Sequence, residues 1–284
     1  MRIIRANEIL ELTRRLILDA EFNIGVDIRA ALEAALRRET TAPARLALEQ
    51  ILENQRIASE ERTPMCQDTG MIIVFAELGQ DVHIESDAAG GFEDAVQAGA
   101  RAAFRGGYLR ASVVDDPLFD RTNTRDNSPA VIHTRVVDGD RLRLVVIPKG
   151  FGSENMSAVR MFPPSAGRDG VADFIVDTVR RAGSKPCPPT IVGVGVGGTF
   201  EQCAMIAKME TARRVGSVNP DMRYAKLEEE CLERINALGI GPAGYGGATT
   251  SLAVHIGHAP THIAGMPTAV NIACHASRHA EGSI

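Results

Sequence analysis

The run Lys185-Pro186-Cys187-Pro188-Pro189-Thr190, leading into Ile191-Val192-Gly193-Val194-Gly195-Val196-Gly197-Gly198, leaves the chain few options. Prolines on both sides of one cysteine exclude a helix interior, because proline lacks an amide donor and restricts the residue before it. The β-branched stretch Thr190–Val196 then reads as a strand that starts from a fixed backbone. A second apolar run, Met71-Ile72-Ile73-Val74-Phe75, directly follows Pro64-Met65-Cys66-Gln67-Asp68-Thr69-Gly70. A third segment, Asn271-Ile272-Ala273-Cys274-His275-Ala276-Ser277-Arg278-His279, puts another cysteine at the end of an apolar strand. No packing argument asks for thiol, amide and carboxylate in a row at such a junction. Polar groups crowded against strand ends are how a rigid scaffold carries a site.

The rest of the chain supplies the scaffold. Residues 6–59 read as helices: Ile9, Leu12, Leu16 and Ile17 recur at helical spacing, as do Ile28, Leu32 and Leu36, and Pro43 can open a third helix. Strands are expected at 71–78 and 82–85, and a helix capped by Asp87 from about residue 88 to 105. Val131–Val137 and Leu142–Ile147, joined by Asp138-Gly139-Asp140, predict a hairpin. Helices follow at 169–182, Phe200–Arg214 and 221–238, the last closed by Gly239, with short strands near 250–256 and 268–273. The expectation is an α+β fold, with mixed sheet(s) surrounded by helices, in a single domain spanning 1–284. Residues 1–60 form a helical N-terminal layer within it and carry no chemistry of their own.

Composition narrows the function. A net charge of −5, with no basic block, argues against a nucleic-acid surface. The first thirty residues are charged and lack a signal-peptide core, and no apolar run approaches the roughly 18 residues of a membrane span, so a cytoplasmic protein is expected. Five cysteines, an odd number without a C-x-x-C pair, do not make a secreted disulfide framework or a zinc ribbon.

Cys203 and Cys231 fall among helical apolar residues and read as core. Cys66, Cys187 and Cys274 occupy loop–strand junctions. Three thiolates without a fourth fit an iron–sulfur cluster in which one iron lacks a protein ligand, a Lewis acid suited to hydration and dehydration. Gly193, Gly195 and Gly198 also match G-x-G-x-x-G, but no second strand directly follows the next helix, so dinucleotide binding is the remote alternative. Glycines there could equally let backbone approach a cluster or an anion. The stretch Leu109–Asn127 is long and polar, and Arg110 or Arg125 could clamp a dicarboxylic acid. Lys149-Gly150-Phe151-Gly152-Ser153-Glu154-Asn155 could present backbone N–H groups to a carboxylate. Among the late histidines, His255 and His258 would not share a strand face, and a histidine in a polar loop can serve as acid or base.

Taken with Asp126-Asn127-Ser128-Pro129-Ala130-Val131-Ile132-His133 and Pro260-Thr261-His262, these motifs resemble class I fumarases, and in particular the separate alpha subunit of the two-subunit form. The resemblance runs from about residue 5 to the C-terminus. It implies a 4Fe–4S cluster on Cys66, Cys187 and Cys274, with substrate at the open iron. It further implies substrate contacts from Gln67, Arg110 and the backbone near Gly152, and proton handling by Asp68 or His262. A beta subunit is implied to supply the remaining catalytic residues, so a hetero-oligomer acting on a small dicarboxylic acid is expected. The implied reaction is the reversible hydration of fumarate to (S)-malate, a tricarboxylic acid cycle step. The alpha subunit of L-tartrate dehydratase, with the same cluster and reaction type, is the alternative. Phe151 departs from the family pattern, which often has glycine there.

Overall fold

A computed structural model describes residues 1–284. In chain order the elements are β1 (Arg2–Arg5), α1 (Ala6–Phe22), α2 (Val26–Arg38), α3 (Ala42–Glu61), β2 (Met71–Gly79), β3 (Val82–Glu85) and α4 (Phe92–Gly106). Then come β4 (Val131–Val137), β5 (Leu142–Lys149), the single-turn α5 (Phe151–Glu154), β6 (Ala158–Phe162) and α6 (Gly167–Ala182). The chain ends with β7 (Thr190–Gly197), α7 (Phe200–Glu210), α8 (Met222–Asn236), β8 (Ser251–Ala259), β9 (Met266–Ala273) and β10 (Ala280–Ser283). Contacts divide the chain into two compact units: Met1–Ile24 with Gln55–Gly150 and Arg278–Ile284, and Gly25–Asn54 with Phe151–Ser277. The N-terminal helices are therefore shared out, α1 to the first unit and α2 to the second.

The first unit is built on a four-stranded sheet in the order β10-β5-β2-β4. β2 is the apolar run behind Cys66, and its residues from Ile72 to Ala76 are all buried, as expected of a strand covered on both faces. It pairs in parallel with β4 and antiparallel with β5. This arrangement overturns the expected hairpin: β4 and β5 are both strands, but β2 lies between them. The Asp138–Arg141 connection wraps the end of β2, with Gly79 N–H donating to Arg141 O at 2.8 Å and Asp81 N–H to Gly139 O at 3.0 Å. Turn chemistry fixes the local bend, whereas the central apolar strand decides which edges pair. Ile9, Leu12, Leu16, Ile17 and Ala20 of α1 form the stripe that buries against this sheet and α4. Gly99 of α4 permits the helix crossing, since a Cβ there would sit 2.6 Å from Leu10 O.

Asp87 does not cap α4. Its carboxylate accepts N–H from Asn7 and Ala89 in a separate turn, closed by Gly90 N–H to Asp87 O with Gly90 at φ 83°, a conformation no helix continues. The helix starts later, behind Gly91.

The second unit holds a mixed sheet in the order β6-β9-β7-β8, with β7 parallel to β8 and antiparallel to β9. Val192, Val194, Val254, Ile256, Val270 and Ile272 pack with α6 and α8 residues in its core. The α+β expectation with mixed sheets therefore holds. α7 ends at Glu210 rather than Arg214, because Thr211 Oγ1 turns back to Lys208 O and the chain then bends through Gly216 at φ 86°. No helix is long and apolar enough to cross a membrane.

Candidate functional site

In the first unit the Cys66 loop is held at several points. Met65 is buried and its N–H donates to the carbonyl of Glu21 in α1, at 3.2 Å. Asp68 closes an Asx turn, its Oδ1 accepting Gly70 N–H at 3.0 Å. Gly70 takes φ 73°, and a Cβ there would lie 2.6 Å from the carbonyl carbon of Lys149, so only glycine fits this junction with β5. Below the loop, Arg278 Nη2 donates to Asp68 O at 2.7 Å and Nη1 to Glu21 Oε2 at 3.0 Å. The loop thus presents a half-buried Cys66 thiol, directed at Gln67 Oε1 at 3.6 Å, an exposed Gln67 amide and a half-buried Asp68 carboxylate.

The stretch containing Arg110 is tied to the same loop. Thr69 Oγ1 donates to Arg110 O at 2.9 Å. Asn127, fully buried and at φ 60°, accepts N–H from Ser112 (2.7 Å) and Val113 (3.2 Å) through Oδ1 and donates from Nδ2 to Gly70 O at 3.0 Å. Asparagine tolerates this left-handed conformation better than most residues. One amide therefore fastens the Arg110 segment to the Cys66 loop and leaves the Arg110 side chain exposed.

In the second unit Cys187 is exposed at φ 53°, its N–H donating to Ser184 O at 3.1 Å. β9 runs antiparallel to β7, with Ile191 opposite Ala273, so Cys274 emerges where Cys187 enters. A bond from His275 N–H to Cys187 O, at 3.1 Å, joins the two segments. α5 lies close by: a Cβ on Gly152 would come within 3.9 Å of Lys185 O, and Glu154 accepts from Asn271 Nδ2 at 2.9 Å and pairs with Lys208.

His262 is not brought to this place. It sits in the β8–β9 turn, its Nδ1 accepting Ala264 N–H at 3.1 Å, beside Thr261 bonded to Gly198 O. That is the far end of β7 from Cys187, roughly 20 Å away at about 3.3 Å of rise per residue.

No two of the five cysteines form a disulfide, and no three His, Cys, Asp or Glu side chains stand together as a preformed metal-binding group. The cysteines nevertheless fall into two kinds. Cys203 and Cys231 are fully buried, and burial pushes the Cys231 thiol up to about 11, so both are core thiols and poor ligands. Cys66, Cys187 and Cys274 all reach the surface of loop–strand junctions.

The glycine-rich run does not cradle a phosphate. A Cβ on Gly193 would collide with the Ala207 carbonyl and one on Gly195 with that of Cys203, so these glycines let α7 press onto β7. The parallel neighbour of β7 is β8, reached only after both α7 and α8. His255 and His258 face opposite sides of β8: His255 is buried with Nδ1 3.1 Å from Glu210 O, whereas His258 stacks on Tyr224.

Two contributors to the first-unit site, Glu21 and Arg278, are not marked as site residues by the local sequence around them. Glu21 does leave a trace, since it falls four residues after Ile17 on the apolar stripe of α1, where a carboxylate needs a partner. Burial pushes its pKa up to about 7, against the pull of Arg278. Asn127 lies within the Asp126–His133 motif, but its role as a tie depends on contacts 57 residues away.

A family model described as fumarate hydratase (Fumerase) matches residues 10–283. The chain belongs to this family. It is accordingly an enzyme of the hydro-lyase class. Its relatives include a protein of Methanocaldococcus jannaschii named "Putative L(+)-tartrate dehydratase subunit alpha", 38% identical over 265 residues that make up 92% of each chain. An L(+)-tartrate dehydratase subunit alpha of Escherichia coli strain K12 is 30% identical over 244 residues, 84% of this fumarate hydratase family chain and 78% of the other.

Proposed function

We propose that the chain is the alpha subunit of an iron–sulfur-dependent fumarate hydratase that reversibly hydrates fumarate to (S)-malate. The supporting observation is the way the first unit ties thiol, amide, carboxylate and Arg110 to one loop through Thr69, Asn127 and Arg278. The donor set fits a cluster: three sulfurs at strand ends, two of them on segments joined by a backbone bond, and two other cysteines withdrawn into the core. Cys66, Cys187 and Cys274 are the proposed ligands. A 4Fe–4S cluster held by three thiolates supplies, when bound, an iron without a protein ligand as a Lewis acid.

The chain's own residues supply recognition and proton handling. Arg110 offers a planar fork for one substrate carboxylate, and the Gln67 amide orients the substrate hydroxyl. Backbone N–H of the turn at Gly152 receives the other carboxylate. In the hydration direction, water gives its hydroxyl to one alkene carbon and its proton to the Asp68 carboxylate, which returns that proton to the departing hydroxyl in reverse. The other alkene carbon takes its proton from a group on a second chain. The names of the relatives, "subunit alpha", support a beta subunit as that chain. His262 of the same chain, at the far end of β7, is not assigned this proton step.

A second reading, L(+)-tartrate dehydration to oxaloacetate, is favoured by the names of both relatives. The chain should therefore be co-purified with its partner, reconstituted anaerobically with iron and sulfide, and assayed with fumarate and with L(+)-tartrate. Fumarate hydration at the higher kcat/KM is expected. Turnover of tartrate alone would replace the first reading with the second, and turnover of neither would remove both. A Cys66→Ala variant that keeps its full iron and activity would exclude Cys66 as a ligand.

A further inference from the structure

We infer that Arg278 and Glu21 form a buried clamp that positions the Cys66–Asp68 loop. They hold the loop by its backbone and act through it. This inference rests on the proposed roles of Cys66, Gln67 and Asp68, but the clamp itself is defined by geometry within the first unit. Both side chains are almost completely buried, at 2% and 0% exposure. They hold the loop from two sides: the Glu21 carbonyl takes Met65 N–H, and Arg278 bridges the Glu21 carboxylate to Asp68 O. The residues between those anchor points are Cys66 and Gln67, so every proposed functional group of the loop lies at or between two fixed backbone atoms.

The pair is not optimised as a stabilising contact. Arg278 Nε and Glu21 Oε1 are both buried without a hydrogen-bond partner. A buried ion pair kept with unsatisfied atoms costs stability relative to an apolar pair of similar size. What the guanidinium does supply is a fork spanning a carboxylate and a carbonyl, which neither lysine nor an apolar residue reproduces. Gly150 lines the same place, where a Cβ would lie 3.2 Å from Asp68 Oδ2 and 3.9 Å from Arg278 Nη2. The clamp therefore also sits directly under the Asp68 carboxylate.

The test compares Arg278→Met, Arg278→Lys and the double variant Glu21→Gln/Arg278→Met. The readouts are thermal unfolding, amide hydrogen exchange of residues 63–70, and kcat and KM of the reconstituted enzyme. Arg278→Met leaves a buried carboxylate alone and should lower stability, whereas the double variant removes both charges and should recover most of it. If the pair positions the loop, the double variant still exchanges the Met65 and Gly70 amides at least ~10-fold faster than wild type while β2 amides are unchanged. Its kcat falls by roughly 100-fold, the cost of a misplacement of about 1 Å, with KM moving far less. Arg278→Lys should fall between the two. Exchange and kcat that return to wild-type values along with stability in the double variant would overturn the clamp and leave a purely structural pair. Exchange needs no substrate, so a wild-type enzyme inactive on fumarate and tartrate would refute the proposed function while the clamp remained tested.

Discussion

Replacing Asn127 by alanine removes the buried side chain that, beside the single Thr69 bond to Arg110 O, joins the Arg110 stretch to the Cys66 loop. The buried amide N–H of Val113 and the buried carbonyl of Gly70 lose their side-chain partner, whereas Ser112 lies at the surface and can turn to water. Each buried orphan costs about 1–3 kcal/mol, giving about 2–6 kcal/mol for the two. Alanine at φ 60° adds about 1 kcal/mol of left-handed strain. Against a total stability of about 5–15 kcal/mol this is a large loss. With a urea slope of about 2–3 kcal/mol per molar, the unfolding midpoint of the first unit should fall by roughly 1–3 M. The measurement is equilibrium urea unfolding followed by circular dichroism, with Asn127→Asp beside it. The aspartate keeps the acceptor for Ser112 and Val113 but sets a carboxylate oxygen against Gly70 O, so its loss should be comparable although its shape is unchanged. A midpoint shift below about 0.3 M for the alanine variant, less than 1 kcal/mol at that slope, would refute the reasoning.

Gly195→Ala places a methyl group against the Cys203 carbonyl and 2.8 Å from Ala207 N, so α7 must lift off β7; a loss of about 2–3 kcal/mol is expected in thermal unfolding, at the upper end for overpacking because the obstacle is backbone. NAD binding should be absent from wild type and variant alike by calorimetry. Cys187→Ser and Cys274→Ser should each lower the iron and acid-labile sulfide recovered after anaerobic reconstitution, whereas Cys203→Ser should not, as quantified by colorimetric assay. His255 is held neutral because burial, reinforced by Arg213, lowers its pKa from 6.5 to about 4. A depressed folded-state pKa contributes stability that is present above about pH 6.5 and lost as pH falls toward 4, an effect of about 3 kcal/mol that His255→Gln should remove from the pH–stability profile.

The sequence reveals what depends on local pattern. Apolar runs predict β2 and β7 as strands, helical spacing predicts helices within residues 6–59, and the helices expected at 169–182 and 221–238 fall close to the observed α6 and α8. The division of the cysteines also follows from local context, since Cys203 and Cys231 sit among apolar helical neighbours and are fully buried. What depends on pairing across the chain is less visible. Asp138-Gly139-Asp140 bends the chain as its residues require, but insertion of β2 between β4 and β5 is decided by residues some 60 positions earlier. β1, β6 and β10 are short strands of four or five residues whose membership of a sheet rests on their partners. Arg278 looks like a surface charge until Glu21, 257 positions away, is placed beside it.

The G-x-G-x-x-G match shows how one pattern can serve two physical ends. A phosphate cradle needs glycines whose missing Cβ atoms leave room for a ligand. At Gly193 and Gly195 that room is already filled by the carbonyls of Ala207 and Cys203, and at Gly198 by the Gln202 side chain. The glycines are spent on the close approach of α7, which in turn buries Cys203 and Ala207 against Ala269 of β9. Drawing α7 onto the β7–β9 pair steadies the two strands whose other ends carry Cys187 and Cys274. The glycine pattern thus contributes to the proposed site by shaping its scaffold rather than by touching a ligand.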